Sequence, residues 1–119
     1  MGLTLVEKII SEHAGKEVHA GELVISKVDV TAVQDGTGHL TVQEFKKLGK
    51  TKLNNPERTV LFIDHAAPSP RKELSNTHMV LREFHKEYGA VLSDVGAGVC
   101  HQRLIETFVN PGEVLVGAD

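Results

Sequence analysis

The run Thr59-Val60-Leu61-Phe62-Ile63 constrains this chain more than any other feature. A β-strand points successive side chains to opposite faces, so five consecutive apolar or β-branched residues demand cover on both sides. Such strands belong to parallel sheets flanked by helices, and the rest of the sequence supplies elements in the alternation that such a sheet requires. Thr4-Leu5-Val6-Glu7 forms a capping box that opens a helix with Leu5, Ile9 and Ile10 on one face, closing near Ala14-Gly15. Leu23, Ile25, Val28 and Val30 alternate, which predicts a strand over 22–30. Residues 32–39 carry Asp-Gly and Thr-Gly pairs and read as a loop; Thr41-Val42-Gln43-Glu44 reads as a second capping box, opening a short helix that ends by Gly49.

After a turn over 54–58 comes the central strand, then a Pro-constrained loop over 64–70. Leu74, His78, Leu81, Phe84 and Tyr88 keep a helical period that Gly89 stops. Residues 90–92 read as a strand, 94–98 as a Gly-rich loop, 100–108 as a helix and 113–117 as a final strand. The expected fold class is therefore α/β, a largely parallel sheet flanked by helices, with no repeat, linker or boundary inside residues 1–119. Asp119 stands at the carboxyl end of a strand, where such folds call for a loop and helix next, so the chain reads as part of a larger α/β protein.

Composition limits the function. Thirteen basic against sixteen acidic residues give a net charge of −3, which offers no field for nucleic acid or anionic lipid. No apolar run approaches a membrane span, and Glu7 falls where a signal peptide needs its apolar centre, so a cytoplasmic protein is expected. A single cysteine, Cys100, excludes an internal disulfide and any site built on several thiolates of this chain. Four Phe, one Tyr and no Trp leave the core to aliphatic residues, a thin core that calls for packing against something further.

Polar groups recur at one place in successive units, just after a strand or in the loop opening the next helix: Gln34-Asp35, Asp64-His65, His101 and Asp119. Parallel α/β sheets gather their sites along that edge. Asp64-His65 is the sharpest of the four, since a carboxylate beside an imidazole fixes its tautomer and stabilises its protonated form. Neighbours on an extended chain point apart, so the pairing needs a bend. Each group also admits a plain structural role: a loop cap for Asp64, a backbone-bonded ring for His65 or His101, a helix cap for Asp119, a turn for residues 34–38. Cys100 reads as a small buried hydrophobe, and His13, His19, His39, His78 and His85 show no metal-ligand spacing and read as surface or packing residues.

Taken together, Val33-Gln34-Asp35-Gly36-Thr37, Phe62-Ile63-Asp64-His65, Gly98-Val99-Cys100-His101-Gln102 and the stretch from Asn110-Pro111-Gly112 to Gly117-Ala118-Asp119 resemble the aconitase superfamily in order and approximate spacing. The opening Gly2-Leu3-Thr4-Leu5-Val6-Glu7-Lys8-Ile9 is similar to the start of the large subunits of its isopropylmalate dehydratase and homoaconitase branch. The resemblance runs the length of the chain but reaches only the amino-terminal part of that family's large subunit, a portion of its three-layer α/β/α catalytic domain.

The resemblance implies a [4Fe–4S]-dependent hydro-lyase acting on a hydroxy-di- or tricarboxylate, with one cluster iron serving as Lewis acid. It implies that Gln34 contacts substrate, that Asp64 and His65 form the pair whose imidazole protonates the departing hydroxyl, and that His101 and Asp119 form a second His–carboxylate pair. The family's cluster cysteines and its Ser base, carried on a swivelling domain or small subunit, lie outside this segment. Hence no metal ligand is expected within the chain, and the segment alone is expected to be inactive. Aconitate hydratase is the alternative within the superfamily. A non-catalytic polycarboxylate-binding module and a divalent-metal hydrolase using Asp64, His65, His101 and Asp119 are alternatives from other classes.

Overall fold

A computed structural model describes residues 2–118. Four parallel strands lie in the order β3-β2-β1-β4, with β1 at Val30–Gln34, β2 at Thr59–Phe62, β3 at Val91–Ser93 and β4 at Leu115–Ala118. Helices α1 (Leu5–Ala14), α2 (Asp35–Lys47), α3 (Lys72–Tyr88) and α4 (Cys100–Arg103) alternate with them, and a π-helical turn over Leu104–Phe108 continues α4. The α/β class read from the sequence is the one observed. Because all four strands run the same way, their carboxyl ends share one edge.

The strand pattern explains the layers. On β1 and β2 the side chains of Val30, Ala32, Val60 and Phe62 face Cys100 and Leu104. Val33, Leu61 and Ile63 face Val42, Leu81 and Phe84 of α2 and α3. Val60, Leu61, Phe62 and Ile63 are each at most 1% exposed, so the central strand is covered on both faces as its composition requires. At about 25 cal/mol per Å2, burying such side chains is worth roughly 1.5–3 kcal/mol each. The four strands and these two clusters fix the frame on which the loops sit.

Helix α1 begins as predicted. Thr4 Oγ1 accepts the Glu7 amide at 3.2 Å, and Glu7 Oε2 accepts the Thr4 amide at 2.8 Å. Gly15 ends the helix in the left-handed conformation. Its Leu5 and Val6 remain exposed.

Several local expectations are corrected. The strand begins at Val30 rather than at 22, and Leu23 and Ile25 are 99% and 93% exposed. Alternation alone does not make a strand without a neighbour to pair with: β1 finds β2 and β4 only from residue 30 onward. The supposed loop over 32–39 is the end of β1 and the first turn of α2, capped by the Gln34 side chain, whose Oε1 accepts the Gly36 amide. Thr41 therefore lies inside the helix, where its hydroxyl donates to Thr37 O at 3.2 Å, and it caps nothing.

The glycines that signalled a turn serve close packing instead. A Cβ on Gly38 would stand 2.7 Å from Leu81 Cδ2 and 3.2 Å from Val33 Cγ1. Strand β3 is also displaced by one residue, and the helix expected over 100–108 is split into α4 and the π turn.

Candidate functional site

The carboxyl edge of the sheet collects the polar residues that follow β1, β2 and β3. Asp35 opens α2 directly after β1 and is 1% exposed. Its carboxylate accepts the His65 amide at 3.1 Å, the Ala66 amide at 2.8 Å and His78 Nε2–H at 3.1 Å. Two consecutive amides turned toward one buried carboxylate supply the bend that the Asp64-His65 pairing needs. At that bend His65 Nδ1–H donates to Asp64 Oδ1 at 2.8 Å.

The other oxygen of Asp64 accepts the Cys100 amide at 2.7 Å, which ties the start of α4 to the loop after β2. Burial pushes the Asp64 carboxyl up, its side chain being only 4% exposed. The bonds from His65 and from Cys100 outweigh that, and the group is held below the ordinary carboxylate value. Asp64 is thus an anion at neutral pH, and the proton of the pair resides on the imidazole.

His101, the second residue of α4, faces His65. Their ring centroids are 6.1 Å apart and the planes cross at 78°. The two imidazoles meet at the carboxyl edge of the sheet. Beside them a cavity of about 250 Å3 is lined by Gln34, His101, Cys100, Phe62 and the end of β4 at Gly117 and Ala118. Thr37 in the first turn of α2 closes onto that end, its hydroxyl donating to Ala118 O at 3.2 Å. Gln34 is 7% exposed, and with Oε1 occupied by the Gly36 amide, its Nε2 donors are the part suited to an anionic ligand.

Of the residues singled out in the sequence, Asp64, His65 and His101 are therefore brought together, and Gln34 lines the adjoining cavity. Asp119 lies outside the described residues. Sequence reasoning passed over the anchoring role of Asp35 and treated His78 as a surface or packing residue, whereas His78 is 3% exposed and bonded to Asp35. A signal was present: His78 occupies the apolar stripe of α3, where a polar ring needs a buried partner. The donor set does not match an iron–sulfur cluster. Such clusters are held by several thiolates and the chain has one thiol, Cys100, so these residues do not hold such a cluster by themselves.

A larger cavity, of about 360 Å3, is lined by Val28, Asp29, Phe45, Leu53 and Arg58 among others, toward the amino ends of β1 and β2. Its charged groups are committed to structure. Asp29 accepts His13 Nε2–H at 2.5 Å and the Val114 amide at 2.7 Å, and Arg58 pairs with Glu113.

Comparison with known proteins gives a consistent picture. The profile of the aconitase family (aconitate hydratase) matches residues 7–119. The large subunit of 3-isopropylmalate dehydratase from Elusimicrobium minutum is 69% identical over 119 residues, all of this chain and 28% of that relative. Large subunit 1 from Thermotoga maritima is 53% identical and large subunit 2 from Archaeoglobus fulgidus 44%, each over the whole chain and 28% of the relative. The chain thus spans 28% of the length of these curated relatives.

Proposed function

The chain belongs to the aconitase family, and on that premise we propose that it is part of an iron–sulfur hydro-lyase that removes and restores water on a hydroxy-di- or tricarboxylic acid of the 3-isopropylmalate type. The observation that carries this reading is the cluster of Asp64, His65 and His101 at the carboxyl edge of the sheet, with the two rings 6.1 Å apart. The family implies a [4Fe–4S] cluster held by cysteines outside these residues, which would supply Lewis acidity toward the substrate's hydroxyl and carboxylate.

The chain's own residues would do the following. Asp64, ionised, accepts His65 Nδ1–H, stabilises the imidazolium and aims the ring; His65 delivers its Nε2 proton to the departing hydroxyl, which leaves as water. The carbon-bound proton is taken by a base elsewhere in the complete protein, so His65 donates one proton and that base removes another. Gln34 offers Nε2–H to a substrate carboxylate. By the family's pattern, His101 and Asp119 would serve as the second acid–imidazole pair. Asp35 holds the bend that places His65. A small subunit carrying the swivelling domain, a hydroxy-polycarboxylate substrate and a cytoplasmic, amino-acid-biosynthetic setting complete the proposal; no described helix is long and apolar enough to cross a membrane.

The test is His65→Ala in the complete protein that carries this segment. Turnover of 3-isopropylmalate is expected to fall on the order of 10²–10⁴-fold with iron and sulfide content unchanged. Loss of the cluster together with activity would assign His65 to cluster retention and overturn its role as acid. Parallel assays with citrate and homocitrate identify the substrate.

A further inference from the structure

None of these steps uses the Cys100 side chain, yet one ligand atom each from His65, Cys100 and His101 lie within 4.8 Å of one another. We infer that these three residues form a mononuclear site for a soft divalent cation, Zn2+ above all, bound by Cys100 Sγ and one ring nitrogen from each histidine.

The donor set is the first support. One thiolate and two imidazoles suit Zn2+, whereas Ca2+ and Mg2+ require oxygen ligands. The surrounding hydrogen bonds are the second. Histidines that ligate metals are commonly held by a carboxylate on the other ring nitrogen, and His65 has that arrangement already, with Nδ1–H on Asp64 at 2.8 Å. Coordination then runs through His65 Nε2. The same Asp64 receives the Cys100 amide at 2.7 Å, so one buried carboxylate positions two of the three ligands.

Depth is the third support. Cys100 is 5% exposed at the floor of the pocket, while both histidines are exposed, which leaves the fourth tetrahedral position facing outward for water or a ligand oxygen. Ligand atoms around tetrahedral zinc stand about 3.3–3.6 Å apart, so closure asks for movements of roughly 1 Å from the exposed rings. Binding releases the thiol proton to solvent as the metal–sulfur bond forms, with no change of oxidation state.

This site stands without the hydro-lyase reading. Where both hold, the ion occupies the His65 nitrogen that would deliver the proton, and Zn2+ inhibits.

The probe is Co2+ titrated into the complete, cluster-free protein that carries this segment, read as the difference against Cys100→Ser so that signals from thiols outside these residues cancel. One equivalent is expected to give tetrahedral d–d bands and a thiolate-to-cobalt charge-transfer band, both bleached by one equivalent of Zn2+. Cys100→Ser removes the charge-transfer band. Asp64→Asn keeps it but weakens binding by about 10–100-fold. His101→Ala, at an exposed position that leaves the core intact, weakens binding and loses the tetrahedral signature. Absence of the charge-transfer band from that difference, or bands unchanged in His101→Ala, overturns the site. No substrate or turnover enters the measurement, so its failure is separate from failure of the hydro-lyase assignment.

Discussion

Replacing Asp35 tests how the site is held. Its buried carboxylate accepts three donors, the amides of His65 and Ala66 and the Nε2–H of His78. In Asp35→Ala all three lose an acceptor that is itself 1% exposed. Each buried unsatisfied donor costs about 1–3 kcal/mol, and because the three share one partner the sum is not additive, giving roughly 3–5 kcal/mol. Asp35→Asn preserves volume but supplies one carbonyl oxygen and one NH2. Oδ1 serves His65 while Oδ2 serves both Ala66 and His78, so either orientation of the amide sets donor against donor. The expected loss for Asn is about 1–3 kcal/mol. Urea unfolding of the chain measures both variants, and the ring resonances of His65 and His101 report whether the bend has opened. Stability within about 0.5 kcal/mol of the parent in Asp35→Asn, with unshifted His65 resonances, would refute the anchoring argument.

Two further outcomes follow from the packing and charge of the fold. Arg82 donates twice to Asp94, both at 2.8 Å, and holds that carboxyl down at about 2 against the ordinary 3.8. Its contribution is therefore fully present above about pH 4 and lost as pH falls toward 2; with side chains 39% and 41% exposed, solvent screening leaves about 1 kcal/mol or less. Asp94→Asn should lower stability by that amount at pH 7 and by progressively less as pH falls from about 4 through 2, and a difference that does not vary with pH would contradict the pairing. Gly38→Ala gains about 1 kcal/mol of helix propensity but drives a methyl against Leu81, which is fully buried, and Val33; a net loss of about 1–2 kcal/mol is expected in thermal unfolding, and a stabilised variant would show that α2 and α3 have room to part.

Much of the fold was legible because its signals are local. The capping box at Thr4 and Glu7, the period of α3 and the two-sided burial of Val60 to Ile63 each depend on residues within a few positions of one another. The same locality explains the misreadings. Residues 22–30 carry a strand's alternation, but a strand is made by its neighbours, and the pairing starts only at Val30. Gly36 and Gly38 look like turn residues until Leu81, 43 positions on from Gly38, shows why a helix needs the space.

The site divides in the same way. By itself the sequence determined that Gln34, Asp64, His65 and His101 fall between a strand and the helix after it in a parallel sheet, and so at one edge of it. Only the tertiary structure decided which of these groups meet. The order β3-β2-β1-β4 brings Asp35 beneath His65 and His78, and Asp64 against the Cys100 amide, over separations of 30, 43 and 36 residues. Hydrophobic period specifies which face of an element is buried; it carries no information about which polar partner waits across the sheet, because that depends on strand order and register, which the chain settles globally.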